Sequence, residues 1–69
     1  FRSWFMKTIE KDIILKLLDN NKVTTIEIIR EYLDYINRLN YSVEEVKLIL
    51  EELKKEGKVR SQNQLWYKV

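Results

Sequence analysis

The sequence has 69 residues, which is enough for one domain, and 13 basic against 11 acidic side chains give it a net charge of +2. A hydrophobic content of 45% favours a folded domain over a disordered segment. It contains no cysteine and no histidine. Disulfides are therefore excluded, and the commonest metal ligand and general base is missing. We predict a protein that is not an enzyme and that binds no metal, cofactor or small-molecule substrate. No apolar run reaches the roughly 20 residues of a membrane span, and no secretion signal is evident, so we expect a cytoplasmic, intracellular protein.

The chain begins with five residues, Phe1-Arg2-Ser3-Trp4-Phe5, ahead of a methionine at position 6. Two interpretations of residues 1–7 stay open. Either the native chain starts at Met6 and the preceding residues were added to it, or Trp4 and Phe5 extend the first helix and pack on the core.

The first helix is predicted from about Thr8, a plausible cap, to Leu18. Its apolar residues cover much of its circumference, which is typical of a central helix packed from several sides; they are Ile9, Ile13, Ile14, Leu17 and Leu18. Asp19-Asn20-Asn21 has the composition of a turn. Lys22-Val23-Thr24 then suits a very short strand.

The second helix is predicted from a capping box of Thr24 and Glu27 to about Arg38. A core stripe recurs at helical spacing and consists of Ile26, Ile29, Leu33 and Ile36. A second apolar stripe lies beside it and consists of Ile28, Tyr32 and Tyr35. Our first interpretation of the second stripe is a broad contact with the first helix, because core is the usual place of such stripes. The alternative is a dimer or partner patch around Ile28, Tyr35 and Leu39.

The last 29 residues carry the strongest local signals. Tyr41 is expected to be pinned to the core. Ser42 and Glu45 have capping-box spacing, ahead of an apolar stripe of Val43, Val46, Ile49, Leu50 and Leu53. Gly57, the only glycine, is placed to end this helix in a left-handed conformation. A two-stranded hairpin should follow, with a half-buried face of Val59, Leu65, Tyr67 and Val69.

The order of helix, glycine and hairpin resembles the recognition helix and wing of a winged-helix domain. The resemblance is carried by Ser42, Val46, Leu50, Leu53, Gly57 and Val59. It implies an α+β fold, with three helices, a small antiparallel sheet and a C-terminal wing hairpin, over residues 1–69 as a single domain. Val43 to Val69, with its Glu56-Gly57-Lys58 stop, also resembles the C-terminal winged-helix domain of archaeal minichromosome-maintenance helicases. The small winged-helix regulators of archaea and their viruses are a second resemblance. These resemblances imply duplex-DNA binding in replication or transcription regulation.

Positive charge is concentrated in the predicted wing. Residues 1–56 hold ten basic and eleven acidic side chains, whereas residues 57–69 hold three basic side chains and no acid. We therefore expect Lys58, Arg60 and Lys68 to contact phosphates. Gln62 and Asn63, at the hairpin tip, would face a groove, and the third helix would add Lys47 and Lys55.

The outer face of the third helix favours an alternative function. Opposite its core stripe we expect Glu44, Leu48, Glu51 and Glu52, with Lys55 as the one base. Acids at this position oppose a polyanion, and a leucine ringed by acids suits a basic, partly apolar protein. The alternative is therefore a protein-interaction module that uses these residues, together with Ile28 and Tyr35 if the second helix also contributes.

Overall fold

The computed structural model describes residues 4–20 and 23–69, with side chains from residue 8 onward. These residues form three helices: α1 (Trp4–Asn20), α2 (Ile26–Asn37) and α3 (Val43–Lys55). Three strands, β1 (Thr24–Thr25), β2 (Val59–Gln62) and β3 (Leu65–Lys68), form one antiparallel sheet in the order β1-β3-β2. The predicted α+β class is confirmed, and the arrangement with its C-terminal hairpin is consistent with winged-helix topology.

Helix α1 begins earlier and ends later than the sequence pattern indicates. It starts at Trp4, so Thr8 lies inside the helix and does not cap it, and Trp4 and Phe5 are helical, as one of the two interpretations expected. Ile14, Leu17 and Leu18 are buried in the core, as predicted. Whether the side chains of Trp4 and Phe5 pack on the core lies outside the described residues, as do the predicted roles of residues 21 and 22.

The start of α2 is displaced by one residue from the prediction. Thr24 belongs to β1, where it pairs with Trp66 and is 5% exposed. The cap is Thr25, whose Oγ1 accepts a hydrogen bond of 3.4 Å from the backbone N–H of Ile28. The predicted capping box of Thr24 and Glu27 is therefore wrong, because the strand occupies the position at which Thr24 would have to cap.

Helix α2 buries a narrower face than expected. Ile29 and Leu33 are fully buried against α1 and α3, but Ile36 is 45% exposed. The second stripe is turned about 100° away around the helix, and all three of its residues are exposed: Ile28, Tyr32 and Tyr35. Our interpretation of that stripe as a contact with the first helix is wrong.

The link between α2 and α3 is fixed by side-chain hydrogen bonds. Arg38 ends α2 in a left-handed conformation (φ 57°). Tyr41 is 2% exposed, and its hydroxyl accepts a hydrogen bond of 2.9 Å from Asn37 Nδ2. Its backbone carbonyl accepts another, of 3.4 Å, from Arg30 Nη1. The prediction that Tyr41 is pinned to the core is confirmed.

Both ends of α3 follow the sequence signals. Ser42 Oγ accepts from the backbone N–H of Glu45 at 3.1 Å, and Glu45 Oε1 accepts from the backbone N–H of Ser42 at 2.9 Å, which completes the capping box. The predicted stripe is buried at Val46, Ile49, Leu50 and Leu53, but Val43 is 37% exposed.

Gly57 ends α3 in the left-handed region, with φ +78°. Its N–H donates to the carbonyl of Lys54, and the N–H of Lys58 donates to the carbonyl of Leu53, both at 3.0 Å. This pair of hydrogen bonds is a Schellman motif, which satisfies two carbonyls at the helix end. The predicted glycine stop is confirmed, and it directs the chain from α3 into β2.

The hairpin turns through Asn63 and Gln64, which both have positive φ (54° and 67°), as a type I′ turn requires. The core-facing side of the hairpin holds Val59 and Trp66, which are 1% and 6% exposed. The outward side holds Arg60, Gln62, Leu65 and Tyr67. Three predicted positions thus need correction, because Leu65 and Val69 are exposed and Tyr67 lies outward, while Trp66 is the buried residue of β3.

Candidate nucleic-acid interface

The outward face of the hairpin combines a cation, an aromatic ring and amides. Arg60 of β2 lies directly opposite Tyr67 of β3, and Gln62 lies opposite Leu65. Arg60 and Gln62 are exposed, Tyr67 is half-buried, and Asn63 is exposed at the tip. A guanidinium and hydrogen-bonding amides on one exposed face can meet phosphate oxygens and the edge of a groove.

Lys58 lies at the root of the wing, directly after the left-handed glycine. Its side chain is 56% exposed, and Nζ lies 3.5 Å from Glu56 Oε1. The Schellman motif fixes the backbone of Lys58, and its half-exposed side chain remains beside the C-cap residue Glu56.

Lys68 does not share a face with Arg60. In the strand register it lies opposite Val59, on the core-facing side of the hairpin. Its Nζ lies 3.3 Å from Oδ1 of Asp19, near the end of α1, and forms an ion pair with it. Of the three cations predicted to contact phosphate, Arg60 is exposed. Lys58 and Lys68 each form an ion pair, Lys58 with Glu56 at the end of α3 and Lys68 with Asp19 of the first helix.

A lysine of α1 holds two carboxylates of α3. Lys11 Nζ lies 3.1 Å from Glu52 Oε1 and 2.7 Å from Glu56 Oε2. The hydrogen bond from Lys11 lowers the pKa of Glu56, and the same bond raises the pKa of Lys11 above its ordinary value. Lys11 and Glu56 are therefore both charged at neutral pH. The prediction that Glu52 lies on the outer face of the third helix is wrong, because Lys11 draws it toward α1.

The outer face of α3 is consequently less acidic than the sequence indicates. The exposed cations on this helix are Lys47, Lys54 and Lys55. The carboxylates that remain are Glu44, which is exposed, and Glu51, which is half-buried. Leu48 is 65% exposed between them. On the predicted face two acids and one base, Lys55, remain, with Lys47 and Lys54 on its flank. The excess of acids therefore falls from two to one, and this face opposes a polyanion less than the sequence predicts.

Two features of this surface were missed in the sequence. Lys11 is 41 and 45 residues from its two partners, and no local pattern indicates a pairing at that separation. The outward position of Tyr67 was one of two arrangements that the sequence allows. Leu65, Trp66 and Tyr67 are all apolar, so either Trp66 alone or Leu65 and Tyr67 together could face the core from β3.

Scans against protein-family models, curated proteins and solved structures give no match to this chain. The assignment of the fold therefore rests on the order of its elements and on the sheet topology. Among residues 4–20 and 23–69, no helix is long and apolar enough to cross a membrane.

Proposed function

We propose that this chain is a non-catalytic module of winged-helix type that binds duplex DNA, led by its wing and with weak sequence preference. The observation that carries the proposal is the capture of Glu52 and Glu56 by Lys11. The single positive charge of Lys11 offsets one of these two negative charges, and both carboxylates remain partly exposed beside the surface that runs from α3 to the wing. Electrostatic attraction to phosphates supplies most of the affinity of such sequence-tolerant binding, so the sign of this surface matters most.

In the proposed complex the outer face of α3 lies toward the major groove and the wing lies along the backbone. Arg60 and Lys58 contact phosphates from the wing, and Lys47 and Lys55 contact them from α3. Gln62 and Asn63 stand at the groove edge, where amides can accept and donate hydrogen bonds. Lys68 keeps its ion pair with Asp19 and does not contact DNA in the proposed complex.

A role in DNA replication or transcription regulation is the corresponding biological proposal. It is supported by the resemblance of Val43 to Val69 to the winged-helix domain of archaeal minichromosome-maintenance helicases, and by the resemblance to small archaeal and viral regulators. One fold hosts many functions, so the binding assay below tests DNA binding by the module directly.

The test is fluorescence anisotropy with a labelled duplex of mixed sequence, repeated over a series of salt concentrations. Four phosphate contacts predict a slope of log K against log salt of about −3 to −4. The double variant Lys58→Ala/Arg60→Ala should weaken binding and reduce that slope by about 2.

A matched control separates wing contacts from net charge. Lys16 is an exposed cation on the outer face of α1, where it pairs with Asp12 at 3.3 Å. Lys16→Ala removes one positive charge and should weaken binding much less than Arg60→Ala does. The proposal is wrong if no binding occurs at low salt, or if these two single variants lose equal affinity.

One observation favours the alternative of a protein-interaction module. Leu48 is 65% exposed and lies between Glu44 and Glu51 on the outer face of α3, and an apolar side chain among acids suits a basic partner. Glu52 no longer belongs to this surface. Absence of DNA binding at low salt would leave this smaller surface as the candidate.

A further inference from the structure

Helix α2 and the turn directly after it carry half of the exposed large hydrophobic residues in the described part of the chain. They are Ile28 (49% exposed), Tyr32 (36%), Tyr35 (73%), Ile36 (45%) and Leu39 (40%), the last just after the helix end. We call these five residues the α2 stripe. Single exposed hydrophobics are ordinary on protein surfaces, but a contiguous patch of this kind marks an interaction site.

The α2 stripe lies on the side of the helix remote from the α2–α3 link. Arg30 and Asn37, which donate hydrogen bonds to Tyr41, mark the linked side. At about 100° per residue, the centre of the stripe is on the opposite side of α2 from these two residues. Another molecule could therefore reach it without disturbing the Tyr41 anchor or α3.

The area of the α2 stripe matches what a stable interface needs. The five exposed fractions together equal roughly two and a half fully exposed large side chains, or on the order of 500 Å². An interface of standard size covers about 800 Å² on each partner, of which about 60% is apolar. The stripe would thus supply the whole apolar part of one such interface.

We propose that a second copy of this chain covers the α2 stripe, with the two α2 helices antiparallel about a two-fold axis. The spacing within the stripe is self-complementary for that arrangement. If the axis passes midway between Tyr32 and Tyr35, each Tyr32 is level with the Tyr35 of the other copy. The same axis brings Ile36 within one residue of the level of Tyr32 in the other copy, so apolar residues meet near the axis, as an isologous interface requires. Leu39 follows the left-handed Arg38 and lies outside this helical spacing.

The charges at the edge of the stripe fit the same arrangement. Glu31 is three residues after Ile28 and four before Tyr35, so it borders both on the helix surface. Arg38 lies at the C-terminal end of α2. In the antiparallel pair, Arg38 of one copy falls within two residues of the level of Glu31 in the other, an offset of about 3 Å along the axis. A parallel pair would instead place Glu31 beside Glu31.

The dimer does not depend on the proposed DNA binding. Its residues lie on α2, whereas the wing and α3 carry the DNA contacts, so either proposal can fail while the other stands. If both hold, the dimer presents two wings, and its two-fold symmetry predicts two-fold related half-sites on DNA.

The first test is the molar mass of the 69-residue chain by sedimentation equilibrium, from micromolar to 1 mM. We expect a reversible dimer of twice the chain mass, and we expect Tyr35→Glu and Ile28→Glu each to raise its dissociation constant at least tenfold. Val69→Glu is the matched control, because Val69 is 64% exposed outside α2, and it should leave the dimer intact. A monomer throughout this range, or a dimer that both α2 variants leave unchanged, would overturn the proposal.

The second test addresses the antiparallel geometry by exchange of charges. Glu31→Arg alone and Arg38→Glu alone should each weaken the dimer, because each places like charges across the interface. The double variant restores opposite charges and should recover most of the lost affinity. Double-variant dimers as weak as the worse single variant would rule out the proposed arrangement.

Discussion

Trp66 is the residue on which the wing depends most. It is 6% exposed, lies in the central strand of the sheet, and pairs with Thr24 on one side and Ser61 on the other. Its ring belongs to the same core cluster as Val59 and the buried faces of the three helices. Replacing it with alanine removes the largest side chain that ties the hairpin to the helices.

The expected cost of Trp66→Ala is about 3–5 kcal/mol, the usual range for truncating a buried tryptophan. At roughly 0.05–0.15 kcal/mol per residue, a chain of this length has a free energy of unfolding of only about 3–10 kcal/mol. The substitution should therefore remove a large part of the stability. For a domain of this size, a loss of 3 kcal/mol corresponds to a fall in Tm of at least about 12 °C.

Urea unfolding followed by circular dichroism measures this cost, with Tyr67→Ala as the matched control on the same strand. Tyr67 is half-buried on the outward face, so its truncation should cost less than half as much. The alternation expected from the sequence, with Leu65, Tyr67 and Val69 inward, makes the opposite prediction. Equal losses, or a larger loss for Tyr67→Ala, would refute the observed register and the reasoning built on it.

Two smaller substitutions test local features. Gly57→Ala should destabilise the fold by about 1–2 kcal/mol through the left-handed backbone alone, because an added Cβ would meet no atom within 4 Å; an unchanged urea midpoint would contradict this. Thr24→Val should stabilise the fold by about 1 kcal/mol, because the buried Thr24 hydroxyl has no hydrogen-bond partner among the described residues; a lower midpoint in urea would show that this hydroxyl is satisfied in solution.

The elements that could be predicted from the sequence are those specified by short-range chemistry. The capping box of Ser42 and Glu45 needs only three residues of separation, and it is present as predicted. Gly57 marks the end of α3 because only glycine adopts φ +78° without a Cβ penalty. The apolar stripe between these two signals then determines the bounds and the buried face of α3. The residues that follow Gly57 suffice for one hairpin.

The features that could not be predicted depend on tertiary contacts. Thr24 and Thr25 are equally good caps by composition, and the choice is made by the pairing of Thr24 with Trp66, 42 residues away. The same pairing decides which residues of β3 face the core. The strand sequence does not decide it, because the first three residues of β3 are all apolar. The exposure of Tyr35 could not be predicted from the sequence of α2. It depends on how much of the α2 surface is covered by α1 and α3.

The charge of the proposed DNA-binding surface is the clearest case of such dependence. Glu56 holds Lys11 at 2.7 Å and Lys58 at 3.5 Å, so the two lysines share one carboxylate. The hydrogen bond to Lys11 is the largest cause of the lowered pKa of Glu56, which makes α1 the main partner of this carboxylate and Lys58 the lesser one. In the proposed complex, a phosphate that drew Lys58 away would leave Glu56 its hydrogen bond from Lys11, whereas without Lys11 it would leave an unpaired acid beside the DNA. In that proposal the first helix contributes to the interface through the ion pair of Lys11 with Glu56, without itself contacting the DNA.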